Sequence, residues 1–297
     1  MQVAISDVNS NVFSYREDLS FKSPVFLDSA FNFTSGDESM NSYVTAYGGN
    51  GLDHLYFQNS IYALDLDLTS MKLPTVHYDG HIHDYTFGGY TYYYSRTNMN
   101  AEGTLSINNI EYAVKGKTWF DRQYGNLARA ITQGWQWFSL TLDDGREIMI
   151  FDFNYNDGDE DGKEENYGSV TMSDGSVTTL HALDIKVVVT GQWSSSKTNC
   201  TYPSGWTINV SSSPSPSPSS PKSSVEAFTI TPYILDQELG PHDGSDRWTS
   251  PIYWEGISKV SDTEDKLVGT AYVELNGYCP QLGSSVHTSN LLNLESS

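Results

Sequence analysis

Apolar positions along the chain recur mostly at every second residue, in short runs broken by Gly, Asn, Asp and Pro, and almost nowhere at the three-to-four spacing of an amphipathic helix. The runs SIYALDLDL, YTYYYSR, GTLSIN, YAVKGKTWF, WQWFSLTL, EIMIFDF, IKVVVTGQW, WTINVS, AFTITPYIL and TAYVELNGY each read as a strand. Turn signals of the hairpin kind lie between them: NNI at 108–110, DDG at 143–145 and SDG at 173–175. The class is all-β, and strands this short must close into barrels or stack in order to protect their edges. Two antiparallel units are expected, 1–132 and 133–297. The boundary falls near NLARAITQG at 126–134, where one aromatic series ends and GWQWFSLTLDDG opens another. The Ser/Pro-rich stretch at 211–224 sits between two strand-like runs and reads as an extended, solvated loop inside the second unit.

Composition supplies material for burial and removes partners. The 297 residues include 20 Tyr, 12 Phe and 7 Trp, so rings provide much of what the cores bury. Thirty-seven acidic against 16 basic side chains leave a formal charge of −21, which disfavours nucleic acid and anionic membrane surfaces. No apolar run approaches the ~20 residues of a spanning helix. A soluble protein with no integral membrane segment is expected. The first ten residues lack a basic segment followed by an apolar stretch, so this chain shows no signal peptide. Sequons at Asn32, Asn199 and Asn209, with a disulfide between Cys200 and Cys279, would suit a secretory route; otherwise the expectation is cytoplasmic.

Three stretches carry candidate chemistry. In NDGDEDGKEEN, 156–166, Asp157, Asp159, Asp161 and Gly162 match the start of a calcium loop, but the closing glutamate position falls at Gly168, and a solvated hairpin tip is the reading adopted. In VHYDGHIHDY, His81 and His83 would share one face of a strand with Asp84 on the other, a ligand-contacting or structural pair without an obvious third metal ligand. Phosphate-cradling, dinucleotide, nucleophile-elbow and zinc spacings are all missing, so no cofactor and no metal are expected. In KGKTWFDRQYGNL, 115–127, alternation puts Lys117, Trp119, Asp121 and Gln123 on one face and Thr118, Phe120 and Arg122 on the other. Facing inward, Asp121 beside Trp119 would be a carboxyl against an aromatic wall, an environment that raises its pKa and suits proton donation. Facing outward, the same set is an ordinary exposed strand.

Taken in order, YTYYYSRTNMNAEGTLSINNIEYAVKGKTWFDRQYGN, GWQWFSLTLDDGREIMIFDF, YPSGWTINV, DQEL, YWEG and GTAYVELNGY resemble the carotenoid 1,2-hydratases and hydroxyneurosporene synthases with their AttH-like relatives, over about residues 60 to 280. The resemblance implies two lipocalin-like barrels or curled sheets holding a lipophilic small molecule, and a fungal branch that includes kievitone hydratase-like enzymes and Diels-Alder-type pericyclases, both free of cofactors. It also implies that the segment before residue 60 is shortened. Asp121 stands where the family places the aspartate thought to protonate an alkene. This chain carries Arg122 and Tyr124 where the family usually has His and Trp, and an arginine on the carboxylate would weaken the acid. The expected function is therefore a cofactor-free pericyclase closing a polyene or terpenoid in an aromatic pocket, where orientation does most of the work. A hydratase acting through Asp121 and a lipophilic-ligand carrier are the alternatives. The expected catalytic residues are Asp121, Gln123 and Tyr124. Trp119, Tyr93, Tyr94, Trp137, His81, Tyr233 and Trp254 are the expected substrate contacts, with Glu238 and Glu255 as further candidates from the second unit.

Overall fold

The structure, a computed structural model, describes residues 2–17, 25–27, 30–37, 42–49, 51–153, 165–212, 224–240 and 252–279. The acidic stretch proposed for calcium and the centre of the Ser/Pro stretch lie outside the described residues; Ser211, Ser212 and Ser224 at its margins belong to strands.

The chain opens with a hairpin of β1 (Gln2–Asp7) and β2 (Val12–Glu17). A first sheet is built from β3 (Val25–Leu27), β4 (Ala30–Asp37), β5 (Ser42–Gly49), β6 (Leu52–Gln58), β7 (Tyr62–Ser70), β8 (Thr75–Val76), β9 (His83–Asp84), β10 (Tyr90–Ile107) and β11 (Ile110–Asn126). Helix α1 (Ala128–Gln133) follows. A second sheet holds β12 (Trp135–Leu142), β13 (Glu147–Phe153), β14 (Tyr167–Thr171), β15 (Val177–Leu180), β16 (Ile185–Ser194), β17 (Thr201–Ser212), β18 (Ser224–Pro232), β19 (Glu238–Leu239), β20 (Tyr253–Ser261) and β21 (Leu267–Asn276). The first sheet runs β11-β10-β7-β6-β5-β4-β3, with β8 and β9 on β10. The second runs β15-β14-β13-β12-β21-β20-β18-β17-β16, with β19 on β20. All their pairings are antiparallel, as the hairpin turns require. This is an all-β, lipocalin-like fold of two curled sheets.

Both sheets curl enough for distant strands to touch. Phe31 of β4 stacks on Phe120 of β11 at 6.4 Å between ring centroids, although the two strands sit near opposite ends of the first sheet. In the second sheet Trp206 of β17 meets Phe138 of β12 edge-on at 5.5 Å and donates its indole N–H to Gln136 at 2.7 Å. Phe138, Leu140, Ile150, Trp206, Ile230 and Val273 are fully buried there, and side chains of this size each stabilise by about 1.5–3 kcal/mol when removed from water. A disulfide between Cys200 and Cys279, Cα to Cα 5.1 Å, ties β17 to the end of β21. Among the described residues of the first sheet, Leu68, Met99 and Ala101 form a small core with Leu55, Leu66 and Phe120 against it.

The sequence runs YTYYYSR and GTLSIN prove to be one long strand, β10, interrupted by a bulge between Arg96 and Met99. The extra residue lets positions three apart face the same way and turns Thr97 and Asn98 toward the second sheet. There Thr97 Oγ1 and Asn98 Nδ2 donate to the Glu147 carboxylate at 3.2 and 2.7 Å, and Lys72 Nζ meets the same group at 2.6 Å. The bulge therefore supplies part of a buried polar clamp between the sheets.

Candidate active site in the seam between the sheets

The outer face of the β10–β11 hairpin packs on the outer face of the second sheet. Alternation places Tyr93 and Ser95 of β10 beside Gln123 and Asp121 of β11. Opposite them stand Trp135 and Trp137 of β12, Phe151 and Phe153 of β13 and Tyr167 of β14, with Trp119 joining the same cluster. The loop before β10 closes one end with Tyr78, Tyr85 and Phe87. That loop is latched to the second sheet, because Glu165 takes His83 Nε2 at 2.7 Å and the Thr86 N–H at 2.5 Å.

Asp121 lies in this seam. Its Oδ1 accepts from Ser95 Oγ, in a short contact, and from Trp119 Nε1 at 2.7 Å. Oδ1 thus takes two donors, which leaves Oδ2 the better place for a proton whenever the carboxyl is neutral. The residue itself is exposed at the edge of the seam, with protein close around its carboxyl. Burial raises its pKa above the ordinary 3.8, opposed by hydrogen bonds from Ser95, Trp119 and Tyr93; Arg122 is not among the causes. Trp119 meets Trp137 edge-on at 6.1 Å, and Trp137 Nε1 donates to the Tyr93 hydroxyl at 3.1 Å.

Behind Ser95 stands His77, almost wholly buried. Burial pushes its pKa down to about 3, so the ring is neutral. Since Ser95 spends its proton on Asp121, it must accept from His77 Nε2–H at 2.7 Å, and His77 Nδ1 is left to accept from Ser169 Oγ at 3.3 Å. The result is one consistent chain, Ser169 to His77 to Ser95 to Asp121, with every donor assigned. His77 was not a candidate from the sequence because it precedes the turn rather than sitting on a strand. The signal that pointed to it was its place in VHYDGHIHDY.

A second acidic group borders the same region. Glu274 of β21 pairs in register with Trp137 of β12 and with Glu255 of β20. Burial and the Glu255 charge raise the Glu274 pKa, with Asp121 adding to it, while Trp135 Nε1 donates to Glu274 at 3.0 Å. Glu255 is likewise raised by burial and accepts from the Tyr272 hydroxyl at 2.8 Å. Two carboxyls this close hold a proton between them more firmly than either would alone.

Of the residues expected from sequence, the seam brings together Asp121, Trp119, Gln123, Tyr93 and Trp137, with Glu255 near by; Gln123 Nε2 reaches the Tyr85 hydroxyl at 3.4 Å. The remainder stand elsewhere. Tyr94 and Tyr124 share the opposite face of the hairpin with Arg122, where Tyr124 stacks on Tyr92 at 4.9 Å. His81 is exposed at the end of a turn, and the strand expected through it does not form. Tyr78, Asp79 and Gly80 all take positive φ (54°, 55° and 80°), and only His83–Asp84 beyond them pairs as a strand. Trp254 faces the interior of the second sheet and donates to the Leu235 carbonyl at 2.7 Å; in YWEG, alternation sends Tyr253 and Glu255 the other way. Tyr233 borders a separate surface hollow with Phe13 and Trp193. Glu238 is wholly buried, accepting from Ser195, Thr198 and Tyr202 at 2.6, 2.6 and 2.8 Å, a polar knot beside the disulfide. Among the described residues no group of three or more His, Cys, Asp or Glu is placed to hold a metal ion, and no helix is long and apolar enough to cross a membrane.

Two curled lipocalin-like antiparallel sheets define the class of fold. The chain belongs to the AttH-like family, whose model matches residues 1–278. Among solved structures it is similar to an AttH protein of Nitrosomonas europaea at 20% identity and TM-score 0.72, over 93% of this chain and 80% of that one. It is also similar to kievitone hydratase of Nectria haematococca at 15% identity and TM-score 0.60, over 94% and 79% respectively. At these identities the likeness is one of fold. No curated protein matches the chain.

Proposed function

We propose that the protein is a cofactor-free enzyme that adds water across an alkene of a lipophilic small molecule, with Asp121 as the acid and with units 1–132 and 133–297 both contributing to the site. The observation that carries this reading is the separation of Asp121 from Arg122. The carboxyl sits among rings with its pKa raised by burial, while the adjacent arginine lines a cavity on the opposite side of the sheet. This separation speaks against the weakening of the acid that the sequence suggested.

In the proposed reaction the Oδ2 proton of neutral Asp121 passes to an alkene carbon. The resulting cation is held by the faces of Trp119, Trp137 and Tyr93. A water molecule then forms the new carbon–oxygen bond and returns one proton to the Asp121 carboxylate, so the enzyme ends as it began. Ser95 and the Trp119 N–H hold Oδ1 through both steps and steady the transient carboxylate. Glu274, kept in its neutral form by burial and Glu255, is a reserve of protons beside the site. The similarity to kievitone hydratase supports the reaction class.

The second reading is the cycloaddition expected from the sequence, favoured by the density of rings in the seam, which would orient a polyene without any proton transfer. Both readings meet one test. The purified protein is incubated with prenylated phenols and linear polyenes in isotopically labelled water, and products are read by mass spectrometry. Label incorporated by the native protein and lost in Asp121→Asn supports hydration. An unlabelled isomer still formed by Asp121→Asn supports the cyclase, and retention of ligand without any product leaves a carrier.

A further inference from the structure

We infer that the hollow interior of the first sheet is a second ligand site, distinct from the seam, for a lipophilic molecule bearing an acidic oxygen such as a carboxylate or enolate. The hollow has a volume of about 1040 Å³, enough for a drug-sized molecule or a longer chain. Phe31, Leu73, Pro74, Val76, Tyr94 and Phe120 supply most of its apolar wall.

Its polar feature is Arg96, which is only 8% exposed. Two edges of this guanidinium are committed: Nε donates to Ser70 Oγ at 2.8 Å and Nη1 to Asp53 in a short ion pair. Asp53 is itself fixed, since its Oδ1 accepts the Gly49 N–H at 2.9 Å. A Cβ at Gly48 would lie 2.2 Å from that same oxygen, so glycine leaves the room it needs. The third edge, Nη2, is buried without a hydrogen-bond partner. A buried N–H left unpaired costs about 1–3 kcal/mol, more on a charged group, and here it belongs to an arginine that borders a cavity. Nη2 has no open surface of its own, so a ligand oxygen that displaced a neighbouring group to meet it would remove that cost.

An acidic oxygen fits better than a neutral one, because charge-assisted bonds to guanidinium are the stronger kind. Arg122 lines the same hollow, its guanidinium 5.6 Å from the Tyr124 ring centroid. Lys72, also in the wall, is committed to Glu147 and the Gly145 carbonyl at 2.6 Å each. The hollow thus presents guanidinium groups, whereas the carboxyls of the seam, Asp121, Glu274 and Glu255, are shifted by burial toward their neutral forms.

The probe is cis-parinaric acid, a fluorescent polyene carboxylic acid, titrated into the full chain beside its methyl ester. The acid is expected to bind native protein and Asp121→Asn alike, with the ester about ten- to a hundredfold weaker. Arg96→Lys keeps a cation for Asp53 but loses Nη2, and should weaken the acid toward the ester. If that variant melts early, Val76→Trp carries the test: Val76 is 53% exposed at the edge of the hollow, and the larger ring should block entry. The inference is overturned if the ester binds as well as the acid, if the folded native protein binds neither, or if binding survives Arg96→Lys and Val76→Trp but falls in Trp119→Ala, which would put the ligand in the seam.

Discussion

The two faces of the β10–β11 hairpin carry opposite chemistry one residue apart. On one face Asp121, with Ser95, Tyr93 and Trp119, meets the aromatic wall of the second sheet. On the other Arg122, with Arg96, Tyr94 and Phe120, lines the interior of the first. Asp121 and Arg122 are neighbours in sequence only. In a strand the backbone stands between them, and each takes the electrostatics of its own side. The lesson is that a sequence substitution beside a catalytic acid acts according to face, not proximity along the chain.

The comparison breaks most visibly at Asp121. Asp121→Asn should lower turnover about 10²- to 10⁴-fold in a labelled-water assay, the usual span for a general acid. Because burial raises the folded-state pKa of Asp121, its contribution favours folding at low pH and is lost as pH rises through that pKa. The asparagine variant should therefore melt no lower than native protein at neutral pH. Next comes the polar clamp between the two sheets. Lys72→Met strands a Glu147 side chain that is 0% exposed and should cost about 3–5 kcal/mol in urea unfolding. By contrast Lys115→Met, in an ion pair 78% and 69% exposed, should cost at most about 1 kcal/mol. Reduction of the Cys200–Cys279 disulfide should remove about 2–4 kcal/mol, read as a lower melting temperature in reductant. The smallest effect sharpens the comparison: Trp119→Phe keeps the ring but removes a hydrogen bond that lowers the Asp121 pKa. The basic limb of the pH–rate profile should move to higher pH.

Much of the fold was legible as a pattern of period two. WQWFSLTL and EIMIFDF are β12 and β13 residue for residue, and their alternate positions divide between core and seam as the pleat dictates. The faces of KGKTWFDRQYGNL were also legible, including Arg122 opposite Asp121. What alternation could not supply was which face meets which sheet. Tyr94 and Tyr124 looked equivalent to Tyr93 and Gln123 until the second sheet chose one side. Nor could it find the bulge after Arg96, which has no marker in YSRTNMN, or the positive-φ turn at Tyr78 that removes His81 and positions His77. The chain Ser169–His77–Ser95 joins three segments far apart in sequence, and only tertiary packing brings them together.

The central claim is that Asp121 is an acid of raised pKa on the face of the hairpin opposite Arg122. The most direct measurement is a carboxyl-carbon NMR titration of the native protein, with the Asp121 resonance assigned by its loss in Asp121→Asn and the titration repeated in Arg122→Gln. The account predicts a midpoint above the 3.8 of an ordinary aspartate, unchanged in Arg122→Gln. A midpoint at or below that value, rising when Arg122 is neutralised, would show the two side chains paired and contradict it.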